Sequence, residues 1–132
     1  MKFPKWLEVC GDIGFRGKCP TEQMEQVTLF NKIRKELPHI GAVALHIRNE
    51  GKRTHQQTAM QQMEGMVSGA ADIIIPGAPC LVIELKRKDH TKCIWQKGQL
   101  EYLESAKNNG AKVAVCLGYE AAFIFIKKNY LT

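Results

Sequence analysis

Two short apolar runs, residues 71–75 and 80–86, are separated by a Pro-Gly-Ala-Pro turn at residues 76–79. Proline and glycine favour a tight turn, so the two runs are predicted to pair as a β-hairpin. If the last three turn residues form the loop, residue numbers that face each other across the hairpin sum to 156, and Asp72 lies opposite Glu84. This hairpin constrains the fold most strongly, because it fixes the register of two strands that carry charged side chains.

The charged side chains of the hairpin indicate which reaction the protein could catalyse. Glu84 and Lys86 project from the same face of the second strand, because side chains alternate along a strand. Asp72 and Glu84 would have Cβ atoms about 5 Å apart, where two carboxylates repel each other unless one is protonated or a cation lies between them. Carboxylate oxygens suit Mg²⁺ or Mn²⁺, which keep bound waters and accept a phosphate oxygen. With the ammonium of Lys86 beside them to orient a water, the pattern predicts phosphodiester hydrolysis.

The Glu-x-Lys spacing alone is not specific, because Glu50-Gly51-Lys52 repeats it in a polar stretch. The alternative interpretation of Glu84 and Lys86 is an ion pair on a solvated sheet edge. A further acidic ligand is expected from the first turn of a helix capped by Thr21, where Glu22 is the candidate and Glu25 the alternative.

The remaining elements are predicted from apolar periodicity, with the order α-β-α-β-β-α-β-α. They comprise a helix from Thr21 that Pro38 ends, a strand at 42–47, a helix at 54–64, a long helix at 91–109, a strand at 111–117 and a closing helix at 119–131. Residues 1–20 are expected to form an irregular arm or a short appended element ahead of one domain that spans residues 21–132.

Composition narrows the class of protein. The chain has 132 residues, 45% of them hydrophobic, and a net charge of +6, so we expect a globular domain with a polyanionic partner rather than a disordered chain. The apolar stretches are too short for a transmembrane helix, the first residues lack the apolar region of a secretion signal, and an intracellular protein is expected. Five cysteines without zinc spacing are expected to be free thiols, and the alternative is a disulfide between Cys10 and Cys19.

Basic residues lie in the polar stretch at 48–53 and directly after the hairpin. They form a candidate phosphate track. The expected DNA-binding residues are Asn49, Lys52, Arg53, Arg87, Lys88, Lys92 and Lys97. Trp95, in the same region, is expected to lie in the core or a dimer interface rather than to stack on a base.

Five motifs occur together between Thr21 and the end of the chain. They are Glu22-x-x-x-Gln26, the stretch His-Ile-Arg-Asn-Glu-Gly-Lys-Arg at 46–53, Gly65-x-x-x-Gly69-Ala70-Ala71-Asp72, Ile83-Glu84-Leu85-Lys86, and Gln99-x-x-Tyr102. In combination they resemble the PD-(D/E)XK nuclease superfamily, and in particular its virus-type replication-repair nuclease (VRR-NUC) family. Ala71 is a departure, because the family usually has proline directly before the aspartate.

The resemblance implies an α/β fold, an α+β sandwich with a restriction-endonuclease-like core in which helices flank a mixed central β-sheet. It also implies a Mg²⁺- or Mn²⁺-dependent endodeoxyribonuclease. The implied catalytic residues are Glu22, Asp72, Glu84, Lys86 and Gln99. The implied metal-binding residues are Glu22, Asp72, Glu84 and Leu85.

Short stand-alone members of the family are similar to Holliday junction resolvases, act as homodimers and are commonly phage-encoded. We therefore expect a cytoplasmic homodimer, without a membrane, acting on branched DNA such as four-way junctions, since symmetric cuts require two sites related by a twofold axis. The alternatives are a nickase or restriction-like nuclease that acts on flaps or duplex with the same site, and a basic DNA-binding module without catalysis.

Overall fold

The computed structural model describes residues 1–47 and 54–130. Within this part of the chain, the strands are β1 (Glu8–Cys10), β2 (Leu45–His46), β3 (Ile73–Ile75), β4 (Leu81–Lys86) and β5 (Lys112–Leu117). They form one mixed sheet in the order β1-β5-β4-β3-β2. The first three strands of that order run parallel to one another, and β3 and β2 are each antiparallel to the neighbour before them. The expected mixed central sheet is confirmed.

Helices cover both faces of the sheet. They are α1 (Glu22–Glu36), α2 (Pro38–Gly41), α3 (His55–Met63), α4 (Gln99–Asn108) and α5 (Tyr119–Tyr130), with a 3₁₀ turn at His90–Lys92. Leu29 of α1 and Phe125 of α5 pack on one face in a single core cluster. Leu103 of α4 and Leu7 of the N-terminal segment pack on the other face. The expected α+β sandwich is therefore confirmed.

The predicted hairpin register is confirmed. Ile73 pairs with Ile83, and Ile75 pairs with Leu81, so facing residue numbers sum to 156. Asp72 immediately precedes β3, at the position that continues this register to Glu84. Val82 belongs to the core cluster beneath α4. Because side chains alternate along a strand, Glu84 and Lys86 share that face of the sheet.

The long helix predicted at 91–109 is wrong over its first part. The chain forms the 3₁₀ turn and then an irregular loop, and α4 begins only at Gln99. Gly98, at the N-cap of α4, has φ +89°, and a Cβ atom on Gly69 would lie 2.3 Å from the carbonyl carbon of Gly98. Two backbones therefore meet where only glycine fits, and this contact stops a continuous helix.

Other boundaries also differ from expectation. The strand predicted at 42–47 is reduced to β2, because α2 occupies the preceding residues. Residues 1–20 are not irregular throughout, since β1 pairs in parallel with β5 and extends the sheet. The helices predicted at 54–64 and from 119 are confirmed over the described residues, and the predicted N-cap Thr21 accepts a hydrogen bond from the Met24 N–H at 3.2 Å.

The described residues also bear on the predictions about cysteines and about membrane-spanning helices. All five cysteines are free thiols there, including Cys10 and Cys19, as predicted. In residues 1–47 and 54–130, no helix is long and apolar enough to cross a membrane.

Candidate active site

A cavity of about 1260 Å³ opens between the start of α1, the end of β4 and the loop before α4. The residues that line it include Glu22, Asp72, Glu84, Lys86 and Gln99. The structure therefore brings together the five residues expected to be catalytic, which the chain distributes over α1, the hairpin and α4.

Glu84 is the most deeply buried acidic group of the cavity, with 1% of its surface exposed. Its Oε1 accepts a hydrogen bond from Gln99 Nε2 at 3.0 Å, whereas its buried Oε2 has no hydrogen-bond partner among residues 1–47 and 54–130. Burial, and after it the nearby carboxylate of Asp72, raise the pKa of Glu84 well above its usual value. A cation bound beside this carboxylate would offset both effects.

Asp72 lies next to Glu84 because of the hairpin register. Its Oδ2 accepts a hydrogen bond from the main-chain N–H of Leu85 at 3.0 Å. This bond ties the aspartate to the neighbouring strand and directs it into the cavity that it lines. The side chain of Leu85 is buried in the core, and because it is a hydrocarbon, only the main chain of this residue could bind a metal.

Lys86 is 3% exposed, and its ammonium is surrounded by oxygen atoms. Nζ donates to the Ile94 main-chain oxygen at 3.2 Å and to Gln99 Oε1 at 3.4 Å. It lies 3.9 Å from Glu84 Oε1 and 3.8 Å from Glu22 Oε1. The alternative of an ion pair on a solvated edge is therefore wrong, since the pair is buried on a central strand.

Gln99, the first residue of α4, is hydrogen-bonded to both Glu84 and Lys86. Its Nε2 donates to Glu84, and its Oε1 accepts from Lys86 and, at 2.8 Å, from the main-chain N–H of Gln96. These three partners fix which end of the amide carries the oxygen. The contacts with Ile94 and Gln96 were not predicted, because main-chain groups of a loop leave no signal in the side-chain pattern.

Glu22 and Glu25, the two candidates in the first turn of α1, lie in different surroundings. Glu22 lines the cavity beside Lys86. Glu25 is 1% exposed, and its Oε2 accepts a hydrogen bond from the main-chain N–H of Tyr119 at the start of α5. Glu25 therefore binds an N–H group that the helix leaves without an internal partner.

The donor set fits a hard divalent cation. Asp72 and Glu84 supply neighbouring carboxylates, one with a buried oxygen to which no described group hydrogen-bonds. Oxygen ligands are those that Mg²⁺ and Mn²⁺ prefer. In the part of the chain that is described, no three His, Cys, Asp or Glu side chains converge closely enough to hold one ion. Two carboxylates with water would suffice for Mg²⁺, which commonly binds to one or two carboxylates.

The residues expected to bind DNA do not all line this cavity. Lys92, Lys97 and Arg87 line the cavity, but the Arg87 guanidinium donates to the main-chain oxygens of Cys19 and Pro20. Lys88 lines a separate cavity beneath α5, 3.7 Å from Glu120. The other three, Asn49, Lys52 and Arg53, and the second Glu-x-Lys lie outside the described residues.

Comparison with solved structures shows a likeness of fold. No protein-family model and no curated protein matches the chain. A solved structure described as "VRR_NUC domain protein" is similar to it with a TM-score of 0.67 and 21% sequence identity, over 83% of this chain and 88% of that chain. At this identity the likeness establishes the fold. The chain therefore has the fold of a VRR_NUC domain protein, as its sequence motifs led us to expect.

Proposed function

We propose that this protein is a divalent-metal-dependent nuclease that hydrolyses phosphodiester bonds in DNA. The observation that carries the proposal is the cluster of Glu84, Lys86 and Gln99 beside Asp72 in an open cavity, with one Glu84 oxygen that no described residue hydrogen-bonds. A buried, incompletely paired carboxylate is costly to folding, so its retention beside an ammonium favours a role in binding and chemistry.

Asp72 and Glu84 would hold the metal, and Glu22 would complete the acidic set across the ammonium of Lys86. A bound Mg²⁺ or Mn²⁺ would lower the pKa of a water molecule and neutralise charge on the phosphate. Lys86 would orient the attacking water and stabilise the developing negative charge through its Nζ–H groups. Gln99 would hold Glu84 and Lys86 in fixed relation to each other, because its amide is hydrogen-bonded to both.

The substrate proposed is branched DNA, such as a four-way junction, cut by a homodimer. Three observations support this: the net charge of +6, the lysines 92 and 97 at the cavity, and the fold shared with a VRR_NUC domain protein. One domain of this size carries one site, and paired symmetric cuts need two sites related by a twofold axis. Lysines at the cavity supply affinity for phosphates without reading sequence, as a structure-selective enzyme requires.

The test is cleavage of a labelled four-way junction, a 5′ flap and a linear duplex with Mg²⁺ or Mn²⁺, alongside light scattering of the protein. Symmetric cuts in the junction by a dimer are expected. Preferential cutting of the flap or the duplex would support the nickase alternative with the same site. DNA binding without cleavage of any substrate would contradict the nuclease proposal and favour a binding module.

A further inference from the structure

The loop before α4 forms one wall around the ammonium of Lys86. The Ile94 main-chain oxygen accepts a hydrogen bond from Lys86 Nζ at 3.2 Å. The next residue, Trp95, places its ring centroid 5.7 Å from the same Nζ, within the range of an attractive cation–π contact. The face of the indole therefore bounds the volume that the ammonium can occupy.

Trp95 is held from its other side by the N-terminal segment. Its Nε1–H donates to the main-chain oxygen of Lys2 at 2.8 Å. The ring of Phe3 packs edge-on against the indole, with centroids 6.3 Å apart, and both rings pack against the core cluster beneath α4. A polar contact and an apolar contact together fix the plane of the indole.

The same N-terminal segment is joined to the chain just after β4. The main-chain N–H of Gly17 donates to Asp89 Oδ2 at 3.0 Å. Arg87 donates to the main-chain oxygens of Cys19 at 2.8 Å and Pro20 at 3.0 Å. Residues 87–95 are thus held to residues 2–20 at three separate places.

We propose that Trp95 is a positioning residue for Lys86, and that Lys2 and Phe3 of the N-terminal segment hold Trp95 in that position. The proposal rests on the nuclease function proposed above, and it gives a role to a segment whose purpose the sequence did not reveal. Trp95 would touch neither DNA nor metal. It would act by keeping the ammonium of Lys86 on Gln99 and the Ile94 oxygen, where a displacement of about 1 Å can reduce a rate a hundredfold.

The chain supplies a matched control in its other tryptophan. Trp6 packs against the same core cluster as Trp95, but its ring lies near the ammonium of Lys107 rather than that of Lys86. Replacement of either tryptophan by leucine removes a similar apolar area. A difference between the two variants therefore reports on Lys86 rather than on the core.

The experiment measures kcat and KM for DNA cleavage by the wild type and by Trp95→Leu, Trp95→Phe and Trp6→Leu, at a temperature where circular dichroism shows each to be folded. We expect Trp95→Leu to lower kcat at least tenfold with KM within twofold of wild type. Trp95→Phe keeps a ring face but loses the N–H donor, so an intermediate kcat is expected. Trp6→Leu is expected to keep kcat within twofold. Equal losses in the two leucine variants would overturn the proposal, as would an unchanged kcat in both Trp95 variants.

A second measurement does not depend on cleavage. In a Trp6→Phe background Trp95 is the single tryptophan, and its emission is compared after Lys86→Met and after Lys97→Met. A change with Lys86→Met alone is expected, since the ammonium of Lys86 lies over the indole. If both variants leave the emission unchanged, the contact is absent and the positioning role fails. A wild-type protein that cleaves no DNA but passes this test would instead refute the nuclease function.

Discussion

Gln99 donates a hydrogen bond from Nε2 to Glu84 Oε1 at 3.0 Å, and so joins the first residue of α4 to the central strand β4. The other oxygen of Glu84 is buried, and no group in the described part of the chain hydrogen-bonds to it. One side of this carboxylate is thus held by protein, while the other has no donor from those residues. A binding role for Glu84 explains this asymmetry better than a structural role does.

Replacement of Glu84 by glutamine is expected to separate stability from activity. Burial and the adjacent Asp72 disfavour the charged carboxylate, so the neutral amide should raise the free energy of unfolding of the metal-free protein at pH 7. DNA cleavage should fall at least about a hundredfold, because a metal ligand is lost. Urea unfolding in EDTA and a cleavage assay check the two halves. A variant that is less stable and still active would contradict this account of Glu84.

Glutamine in place of Glu22 and in place of Glu25, the two acidic residues of the first turn of α1, should have opposite effects on cleavage and on stability. Glu22→Gln is expected to reduce cleavage while leaving the unfolding midpoint nearly unchanged, because the side chain lies at the cavity and is half-exposed. Glu25→Gln should cost about 1–3 kcal/mol of stability, because a charged acceptor of the Tyr119 N–H is lost. Its cleavage rate per folded molecule should stay within twofold of wild type. The reverse pattern would identify Glu25 as the functional residue.

The contact between Gly69 and Gly98 should be sensitive to a single methyl group. Gly69→Ala would place Cβ 2.3 Å from the Gly98 carbonyl carbon, at a φ of +78°. Gly65→Ala is the matched control, since Gly65 also has a positive φ, +108°, but nothing lies within 4 Å of a Cβ there. The control should lose about 1–2 kcal/mol from backbone strain alone. Gly69→Ala should lose at least about 1 kcal/mol more, and equal losses in urea unfolding would show that the close contact does not exist.

Asp89 makes stability depend on pH in the acid range. Hydrogen bonds from the Thr91 side chain, the Gly17 N–H and the Thr91 N–H lower its pKa from 3.8 to about 2. A depressed pKa in the folded state means that the stabilisation is complete above pH 3.8 and is lost as the pH falls through about 2. The difference in unfolding free energy between wild type and Asp89→Asn should therefore shrink between pH 5 and about pH 2. A difference that does not change over this range would refute the assignment.

The parts of the fold that depend on local sequence were predictable. The Pro-Gly-Ala-Pro turn sets the hairpin register, and that register alone places Asp72 beside Glu84. Thr21 caps α1 through its own side chain. In both cases the interacting residues are close in the chain, so residue type and spacing contain the information.

The parts that depend on distant contacts were not predictable. The break before α4 arises where Gly98 meets Gly69, and the position of β1 arises from pairing with β5, far away in the chain. Apolar spacing favoured a continuous helix through 91–98 because it reports local periodicity and not what the backbone encounters. The use of Glu25 at the start of α5 was hidden for the same reason.

The most direct test of the account compares the rate of Mg²⁺-dependent cleavage of labelled four-way junction DNA by wild type, Asp72→Asn and Asp12→Asn. Asp12 is a matched control, because its Oδ1 accepts a hydrogen bond from Gly14 that an asparagine oxygen can keep, and it lines the separate cavity. We expect cleavage by wild type and Asp12→Asn, at rates within about twofold, and none by Asp72→Asn or in EDTA. Cleavage by Asp72→Asn at the wild-type rate, or cleavage that persists in EDTA, would contradict a metal-dependent site at Asp72 and Glu84.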